Sequence, residues 1–109
     1  MLKRINRIGT KKEFEEVKEK GRAYQAPLLA MVILKKEDEE KKFGLVVSKR
    51  ISKKAVIRNK IRRTVYEVLR RQLDKISKGV RGIVLVRMAI VGKGTEEIER
   101  EIGEIIKKL

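Results

Sequence analysis

The spacing of apolar residues among charged ones predicts a helix near the start of the chain, over about residues 11–20. Thr10 and Glu13 match a capping box, in which the threonine accepts a bond from the first turn and the glutamate reaches back. Gly21 is a typical residue to end such a helix. The apolar stripe of this helix consists of Phe14 and Val17.

The next segment predicts strands, because its apolar residues come in short runs and Pro27 prevents a helix. Residues 28–34 form one buried strand-like run and residues 43–47 a second, and a short strand at residues 22–25 precedes both. Residues 35–42 are all charged, and their position predicts a hairpin loop between the two runs. The acids at 37–40 suggest a metal site, but consecutive acids on a loop are more often solvated.

From about residue 57 to residue 73 the apolar spacing becomes helical. One face of this helix carries four apolar residues, which are Ile61, Val65, Val68 and Leu69. A second face is polar and mostly basic, and it carries Asn59, Arg62, Arg63, Tyr66 and Arg70. The sequence therefore predicts an amphipathic helix that buries one side and presents cations on another.

Residues 77–79 break this helix, residues 83–86 predict another strand, and Thr95 is predicted to cap a last helix with two acids in its first turn. The stripe of that helix is Ile98, Ile102, Ile105, Ile106 and Leu109. The order of elements is helix, two or three strands, helix, strand, helix. We expect one α/β domain over residues 1–109, an α+β sandwich with helices packed on a small sheet.

The charge is concentrated in the basic helix and in the segment before it. The chain has 30 Lys and Arg and 15 Asp and Glu, a net charge of +15, and residues 43–71 contain ten of the bases but only one acid, Glu67. The densest block holds eight cations without any acid, and these are Lys49, Arg50, Lys53, Lys54, Arg58, Lys60, Arg62 and Arg63. A solvated helix face is one interpretation. Such a block repels itself, however, so we expect a polyanionic partner.

Composition argues against several classes of protein. Without Cys or His there is no disulfide partner, no thiolate site and no histidine base, which argues against a self-sufficient hydrolase. No apolar run approaches the roughly 20 residues of a membrane helix, and the first residues lack the apolar stretch of a signal peptide. We expect a cytoplasmic protein that does not bind membranes.

The basic residues suit phosphate recognition. Arginine can bind phosphate in a bidentate manner, lysine acts as a point charge, and Asn59 can donate to a phosphate or ribose. Charge alone does not distinguish DNA from RNA, and no helix-turn-helix or zinc-finger pattern suggests DNA. Of the four aromatic residues, Phe14 and Tyr66 are candidates for stacking on bases, although periodicity suits a core role for Phe14 equally well.

The segment from Val47 to Arg63, VSKRISKKAVIRNKIRR, resembles the protein subunits of bacterial ribonuclease P. The shared pattern is V-S-K-[KR] at a strand end, followed by K-A-V-x-R-N-[RK]-x-[KR]-R at the start of the long helix. The similarity continues at Phe14, at Gly21 and at the strand ending in Arg87, so it covers essentially the whole chain.

This resemblance implies a fold, a function and a set of sites. The fold is αβββαβα, with a small, mostly antiparallel sheet and a left-handed βαβ crossover. The function is support of metal-dependent removal of the 5′ leader from precursor tRNA, in which the RNA subunit is the catalyst and Mg²⁺ acts with that RNA. The implied partners are ribonuclease P RNA and precursor tRNA. The RNA-binding residues would be Lys49, Arg50, Lys53, Lys54, Arg58, Asn59, Lys60, Arg62 and Arg63, and the leader cleft would contain Phe14, Val32 and Arg87. No residue of the chain is expected to be catalytic or to hold a metal by itself.

The chain departs from the family pattern in two places. Aromatic residues common in the family are replaced by Lys18, Leu29 and Val32, and the usual Gly-Lys before Ala-Val is Lys53-Lys54. Two other functions remain open from the residues alone, which are a structural RNA-binding module such as a ribosomal protein and a metal-dependent nuclease acting alone. The arginine-asparagine motif favours the ribonuclease P interpretation over both.

Overall fold

The structure, a computed structural model, describes residues 2–109, and a four-stranded sheet lies at its centre. The elements follow the predicted order αβββαβα. They are α1 (Lys11–Lys20), β1 (Arg22–Gln25), β2 (Leu29–Lys35), β3 (Lys42–Val46), α2 (Ala55–Gln72), β4 (Val80–Val86) and α3 (Thr95–Lys107).

The strands are arranged in the order β1-β2-β4-β3, so β4 lies between β2 and β3. β2 pairs antiparallel with β1 and with β4, whereas β3 pairs parallel with β4. The prediction that residues 35–42 form a hairpin loop is therefore wrong, because the two strands they join do not pair with each other. The alternation of apolar residues shows where strands lie but not which strands are neighbours. α2 is the crossover between the parallel strands β3 and β4, and its left-handed sense stays a prediction.

The sheet separates two helical layers, since successive side chains of a strand point to opposite faces. In β2, Met31 packs in the larger cluster with α2 and α3, while Val32 packs in a smaller cluster under α1. The apolar stripes predicted for the two long helices are confirmed: Ile61, Val65, Val68 and Leu69 are buried in α2, and Ile98, Ile102, Ile105 and Ile106 are buried in α3. Leu109, which was predicted as the end of the α3 stripe, lies beyond the helix and is partly buried against the same core. α2 and α3 thus share one face of the sheet and α1 covers part of the other.

The first helix has the predicted bounds, but only half of its predicted capping box. Thr10 Oγ1 accepts from the backbone N–H of Glu13 at 3.1 Å. The carboxylate of Glu13 does not reach back and lies instead 3.7 Å from both Lys42 Nζ and Arg81 Nε. Gly21 ends the helix, and a Cβ there would lie 2.6 Å from the Val32 side chain, so close packing explains this glycine.

The last helix begins one residue earlier than predicted, because Gly94 is its N-cap and Thr95 is already helical. α3 is joined to the start of β2 by Glu101, whose carboxylate accepts from the backbone N–H groups of Leu28 at 2.7 Å and Leu29 at 3.0 Å. This contact fixes the turn between β1 and β2 on the helical layer.

Residues 2–8, here called the N-terminal strap, cover the outer edge of β3. Leu2 is buried among the residues of the α2 layer, and Ile8 packs with the α1 cluster on the opposite face. Between them Arg7 forms a parallel bridge with Phe43, and Ile8 N–H donates to the Phe43 carbonyl at 3.0 Å. The strap therefore wraps around an edge strand from one layer to the other and shields its free backbone groups.

Candidate nucleic-acid interface

The segment that enters α2 is held against the first turn of the helix by its own polar groups. The guanidinium of Arg58 donates from Nη1 to the Ser52 carbonyl at 2.8 Å, and Lys54 N–H donates to Ser52 Oγ at 3.2 Å. Arg58 is half-buried by this contact. One of the predicted RNA-binding arginines thus also sets the conformation of the loop that carries four of the predicted lysine and arginine residues.

The structure places the nine predicted RNA-binding residues on this loop and on the first half of α2. Arg58 and Arg62 are half-buried, and the other seven are exposed. Arg62 Nη1 donates to Asn59 Oδ1 at 3.1 Å, so these two side chains lie side by side on the helix. Within residues 2–109, no carboxylate lies within 4 Å of any of the eight cations in the group. The surface therefore combines a rigid support with uncompensated positive charge, which suits a phosphate backbone.

The second half of α2 is different, because it contains the single acid of the basic segment. Glu67 binds Arg70 through two hydrogen bonds of 2.6 and 3.0 Å and lies 3.5 Å from Arg71. The hydrogen bonds from Arg70 are the main reason that the pKa of Glu67 is lowered to about 2. Arg70, which helical periodicity places on the basic face, is thus partly neutralised, and the free positive charge lies toward the start of the helix.

The other candidate surface is the side of the sheet that α1 only partly covers. Strand register places Val32, Ile83 and Gly44 in one row across β2, β4 and β3, and Phe14 packs on this row. The next row lies beyond α1 and ends in Leu85 and in Val46, which is 37% exposed. The side of the sheet next to α1 is therefore partly apolar and partly exposed, and it is the candidate surface for the predicted leader cleft.

The three predicted cleft residues occupy different depths of this surface. Phe14 is half-buried: it packs against the cluster under α1 and leaves part of its surface exposed. Val32 is 9% exposed beneath α1 and offers little surface to a ligand. Arg87 is exposed past the end of β4, where its guanidinium donates to Gln25 Oε1 and its backbone N–H donates to the Leu28 carbonyl at 2.9 Å.

Lys18 and Leu29, which stand where the family pattern has aromatic residues, lie on different sides of the sheet. Lys18 is exposed on α1, whereas Leu29 is fully buried in the α2 and α3 layer. Since Leu29 lies on the opposite face of the sheet, it is not part of the cleft floor.

A buried ion cluster around Arg81 was not foreseen from the sequence. Arg81 is 2% exposed, and its two terminal nitrogens bind Asp38 at 2.6 and 3.0 Å, the Glu40 carboxylate at 3.2 Å and the Glu40 carbonyl at 3.1 Å. The hydrogen bonds between Arg81 and Asp38 are the main reason that the pKa of Arg81 is raised and the pKa of Asp38 is lowered. The acidic run at 37–40 is thus not simply solvated, since two of its members hold the loop onto β4. The sequence signal for this cluster is Arg81 itself, a charged residue among the mostly apolar residues 80–86. The strand predicted over residues 83–86 was too short to include it.

Comparison with known proteins identifies the family. The family model described as Ribonuclease P matches residues 2–109. The chain belongs to the ribonuclease P protein family. A ribonuclease P protein component from Microcystis aeruginosa is 31% identical over 98% of this chain and 92% of its own length. One from Clostridium botulinum is 32% identical over 94% of this chain and 93% of its own length.

Solved structures agree with the fold of the ribonuclease P protein family. The RNase P protein from Thermotoga maritima superposes with a TM-score of 0.85 at 22% identity, covering 94% of this chain and 96% of that one. The protein from Staphylococcus aureus gives a TM-score of 0.83 at 24% identity and covers 94% of each chain. The predicted α+β fold with helices packed on a small, mostly antiparallel sheet is confirmed, and the one parallel strand pair makes that sheet mixed.

Membership of the ribonuclease P protein family also gives the class of function. The chain is a protein subunit of ribonuclease P, an endoribonuclease of tRNA 5′ processing, and its partner is ribonuclease P RNA. No helix in residues 2–109 is long and apolar enough to cross a membrane.

Proposed function

We propose that the loop before α2 and the first half of that helix bind ribonuclease P RNA, and that the cleft beside α1 receives the 5′ leader of precursor tRNA. The observation that carries the proposal is the group of eight cations without a carboxylate within 4 Å in residues 2–109. Bound phosphates would relieve the mutual repulsion of these cations, and each contact would release a counterion. The binding residues are those predicted from the motif.

Each part of the surface has a distinct task in this proposal. The Arg58 contact with Ser52 keeps the loop in place, and the pair of Arg62 and Asn59 presents donors with a fixed spacing to a phosphate or ribose. In the cleft, Phe14 and the apolar row beyond α1 would pack on leader bases, while Arg87 at the rim would bind a leader phosphate.

The family implies a magnesium ion, but the described residues of this chain do not fit a site that would bind it by themselves. In the described residues there is no group of three acidic side chains that could hold a metal ion. The carboxylates of Asp38 and Glu40, from the acidic run, bind the Arg81 guanidinium instead. We therefore propose that RNA phosphates bind the Mg²⁺, and that this chain contributes only by binding and orienting RNA. We also propose that it acts in the cytoplasm, where precursor tRNA is transcribed.

The test of this function is reconstitution of cleavage. The purified full chain is mixed with a bacterial ribonuclease P RNA at low magnesium concentration, and 5′ cleavage of precursor tRNA is followed with each component alone and with both. We expect efficient cleavage only with both. Tight RNA binding without stimulation would favour a structural RNA-binding module, and cleavage by the protein alone would show that the chain itself is catalytic.

The leader cleft is tested separately by Phe14→Ala. If Phe14 contacts the leader, the variant loses affinity for precursor tRNA in the holoenzyme while its affinity for mature tRNA is unchanged. Phe14→Leu is the matched variant, because it keeps most of the apolar packing on Gly44 but removes the flat ring. Equal losses on both RNAs would assign Phe14 to the core alone.

A further inference from the structure

The N-terminal strap carries three cations, Lys3, Arg4 and Arg7, that lie outside the motif of α2. The strap is not a loose tail. Leu2 is 1% exposed in the core, and Asn6 Nδ2 donates to the Lys41 carbonyl at 2.9 Å. With the backbone contacts to Phe43, these anchors fix a 3-10 turn over Arg4–Asn6 along the edge of the sheet.

Arg7 is attached to the basic helix by a ring contact. Its guanidinium carbon lies 4.8 Å from the centre of the Tyr66 ring, and its Nε donates to the Leu2 carbonyl at 3.0 Å. Tyr66 follows Arg62 and Arg63 by one turn on the same side of α2. A cation over an aromatic face keeps its full charge, so this contact adds a fixed guanidinium beside the basic face.

The strap cations are not used to hold the fold through acids. Within residues 2–109 no carboxylate lies within 4 Å of any of the three. Some surface cations in other parts of the chain are paired, such as Lys93 with Glu97 at 4.0 Å and Lys107 with Glu104 at 3.5 Å, whereas others, such as Lys108, also have no carboxylate within 4 Å among the described residues. The strap also exposes an apolar side chain next to Arg4, since Ile5 is 71% exposed.

We infer that the N-terminal strap is a second part of the surface that binds ribonuclease P RNA, with Arg4 and Arg7 contacting its phosphate backbone. This inference rests on the function proposed above for α2. The strap would extend the RNA surface from the basic helix around the edge of β3, toward the side of the sheet that carries the leader cleft. Because anchors at both ends already order it, binding costs less entropy than the folding of a free tail would. Tyr66 acts in this arrangement as a positioning residue, since it touches Arg7 and not the RNA.

The first test is the affinity of the full chain, tagged at its C-terminus, for a bacterial ribonuclease P RNA, titrated at several salt concentrations. Arg4→Ala is the cleanest variant, because Arg4 is exposed and alanine keeps the backbone bond from Arg7 N–H to its carbonyl. We expect a loss of roughly three- to tenfold and a salt slope smaller by about 0.7 to 0.9 for one lost phosphate contact. Lys108→Ala is the control, since it removes one exposed cation at the end of α3, and it should change neither quantity.

The second test separates positioning from folding at Tyr66. Tyr66→Phe keeps the ring under Arg7 and should bind RNA as the wild type does, whereas Tyr66→Leu should lose affinity to the same extent as Arg7→Met. Thermal unfolding of each variant identifies any loss that comes from instability. A stable Tyr66→Leu variant with wild-type affinity would contradict the positioning role.

Arg62→Ala distinguishes the failure of this inference from the failure of the proposed function. If Arg62→Ala weakens RNA binding while Arg4→Ala and Arg7→Met behave like Lys108→Ala, the strap is not part of the interface and the inference is wrong. If Arg62→Ala has no effect either, the proposed role of α2 fails as well. Losses at both places with an unchanged Lys108→Ala support a continuous RNA surface.

Discussion

Two regions of the molecule collect charged residues, and they use them in opposite ways. Around Arg81 the cation is buried and three acids from two other elements, Glu13, Asp38 and Glu40, lie within 4 Å of it. On the first half of α2 and the loop before it, eight cations lie at the surface with no carboxylate nearby in residues 2–109. The first region joins β4, the acidic loop and α1, whereas in the second region Arg58 joins the loop to α2 through the Ser52 carbonyl without any acid.

The difference shows that the placement of charge predicts its role better than its amount does. A buried guanidinium without partners would carry a large desolvation cost, so the fold has to supply acids to Arg81. An exposed cation has no such need, and leaving eight of them unpaired reduces stability through repulsion. The proposed RNA binding would account for the unpaired cations, whereas the paired cluster is explained by its contacts within the fold.

The largest expected effect is the loss of stability in Arg81→Ala. The variant removes at least four hydrogen bonds and leaves Asp38 and Glu40 facing each other without the cation. Since these acids can hydrate, we expect a loss in the free energy of unfolding of about 3 kcal/mol, the lower end for breaking a buried ion pair. Urea denaturation measures it, and a change within the roughly 0.5 kcal/mol of ordinary surface variants would show that the cluster is not structural.

The opposite result is expected for the double variant Arg62→Ala/Arg63→Ala on α2. Two lost phosphate contacts should lower the affinity for ribonuclease P RNA by roughly 10- to 100-fold and reduce the salt slope by about 1.4 to 1.8. Stability should stay the same or rise slightly, because repulsion among the cations is relieved. An unfolding midpoint as low as that of Arg81→Ala would contradict the proposed division between the two regions.

A smaller effect is expected from Asp38→Asn, and it depends on pH. Hydrogen bonding to Arg81 lowers the pKa of Asp38 below its ordinary value of 3.8. The ionised carboxylate therefore stabilises the fold above the unfolded-state value, and this stabilisation is lost as pH falls through the lower folded-state pKa. Wild-type stability should decline as the pH drops below about 4, and the variant should be less stable at pH 7 but decline less steeply.

The pH series needs a control at a second carboxyl group whose pKa is lowered. The pKa of Glu16 is lowered because its carboxylate binds Lys36. Glu16→Gln should therefore make stability depend less on pH in the same range, without affecting the Arg81 cluster. Identical pH profiles for the wild type and Asp38→Asn would show that Asp38 and Arg81 are not coupled.

Sequence patterns predicted the elements better than their arrangement. The stripes of α2 and α3 were found because a helical period places Val65 or Ile102 on one face regardless of the rest of the fold. The insertion of β4 between β2 and β3 could not be found this way, since a buried strand has the same pattern in any position in a sheet. The partners of Arg81 were missed for the same reason, because they depend on which loop crosses β4.

The candidate site shows the same limit. The motif residues of α2 are close together in the sequence, so their grouping on one loop and one helix was predictable. Arg7 and Tyr66 are far apart in the sequence and meet only because the N-terminal strap follows the edge of β3. Contacts between residues so far apart in the sequence can be predicted only when the topology of the sheet is known.

The smallest effect is expected from Glu67→Gln, which changes the one acid of the basic segment. The variant releases Arg70 and Arg71 from the carboxylate that binds them and adds one net positive charge to α2. If RNA phosphates are attracted to the whole helix, affinity should rise, by roughly twofold since the ion pairs are at the surface. If RNA contacts only the first half of the helix, affinity should stay the same at 0.15 M salt and rise only at low salt, where the charge acts over a longer range. A decrease in affinity would mean that Glu67 holds Arg70 in its binding position, and that even this compensated part of α2 belongs to the interface.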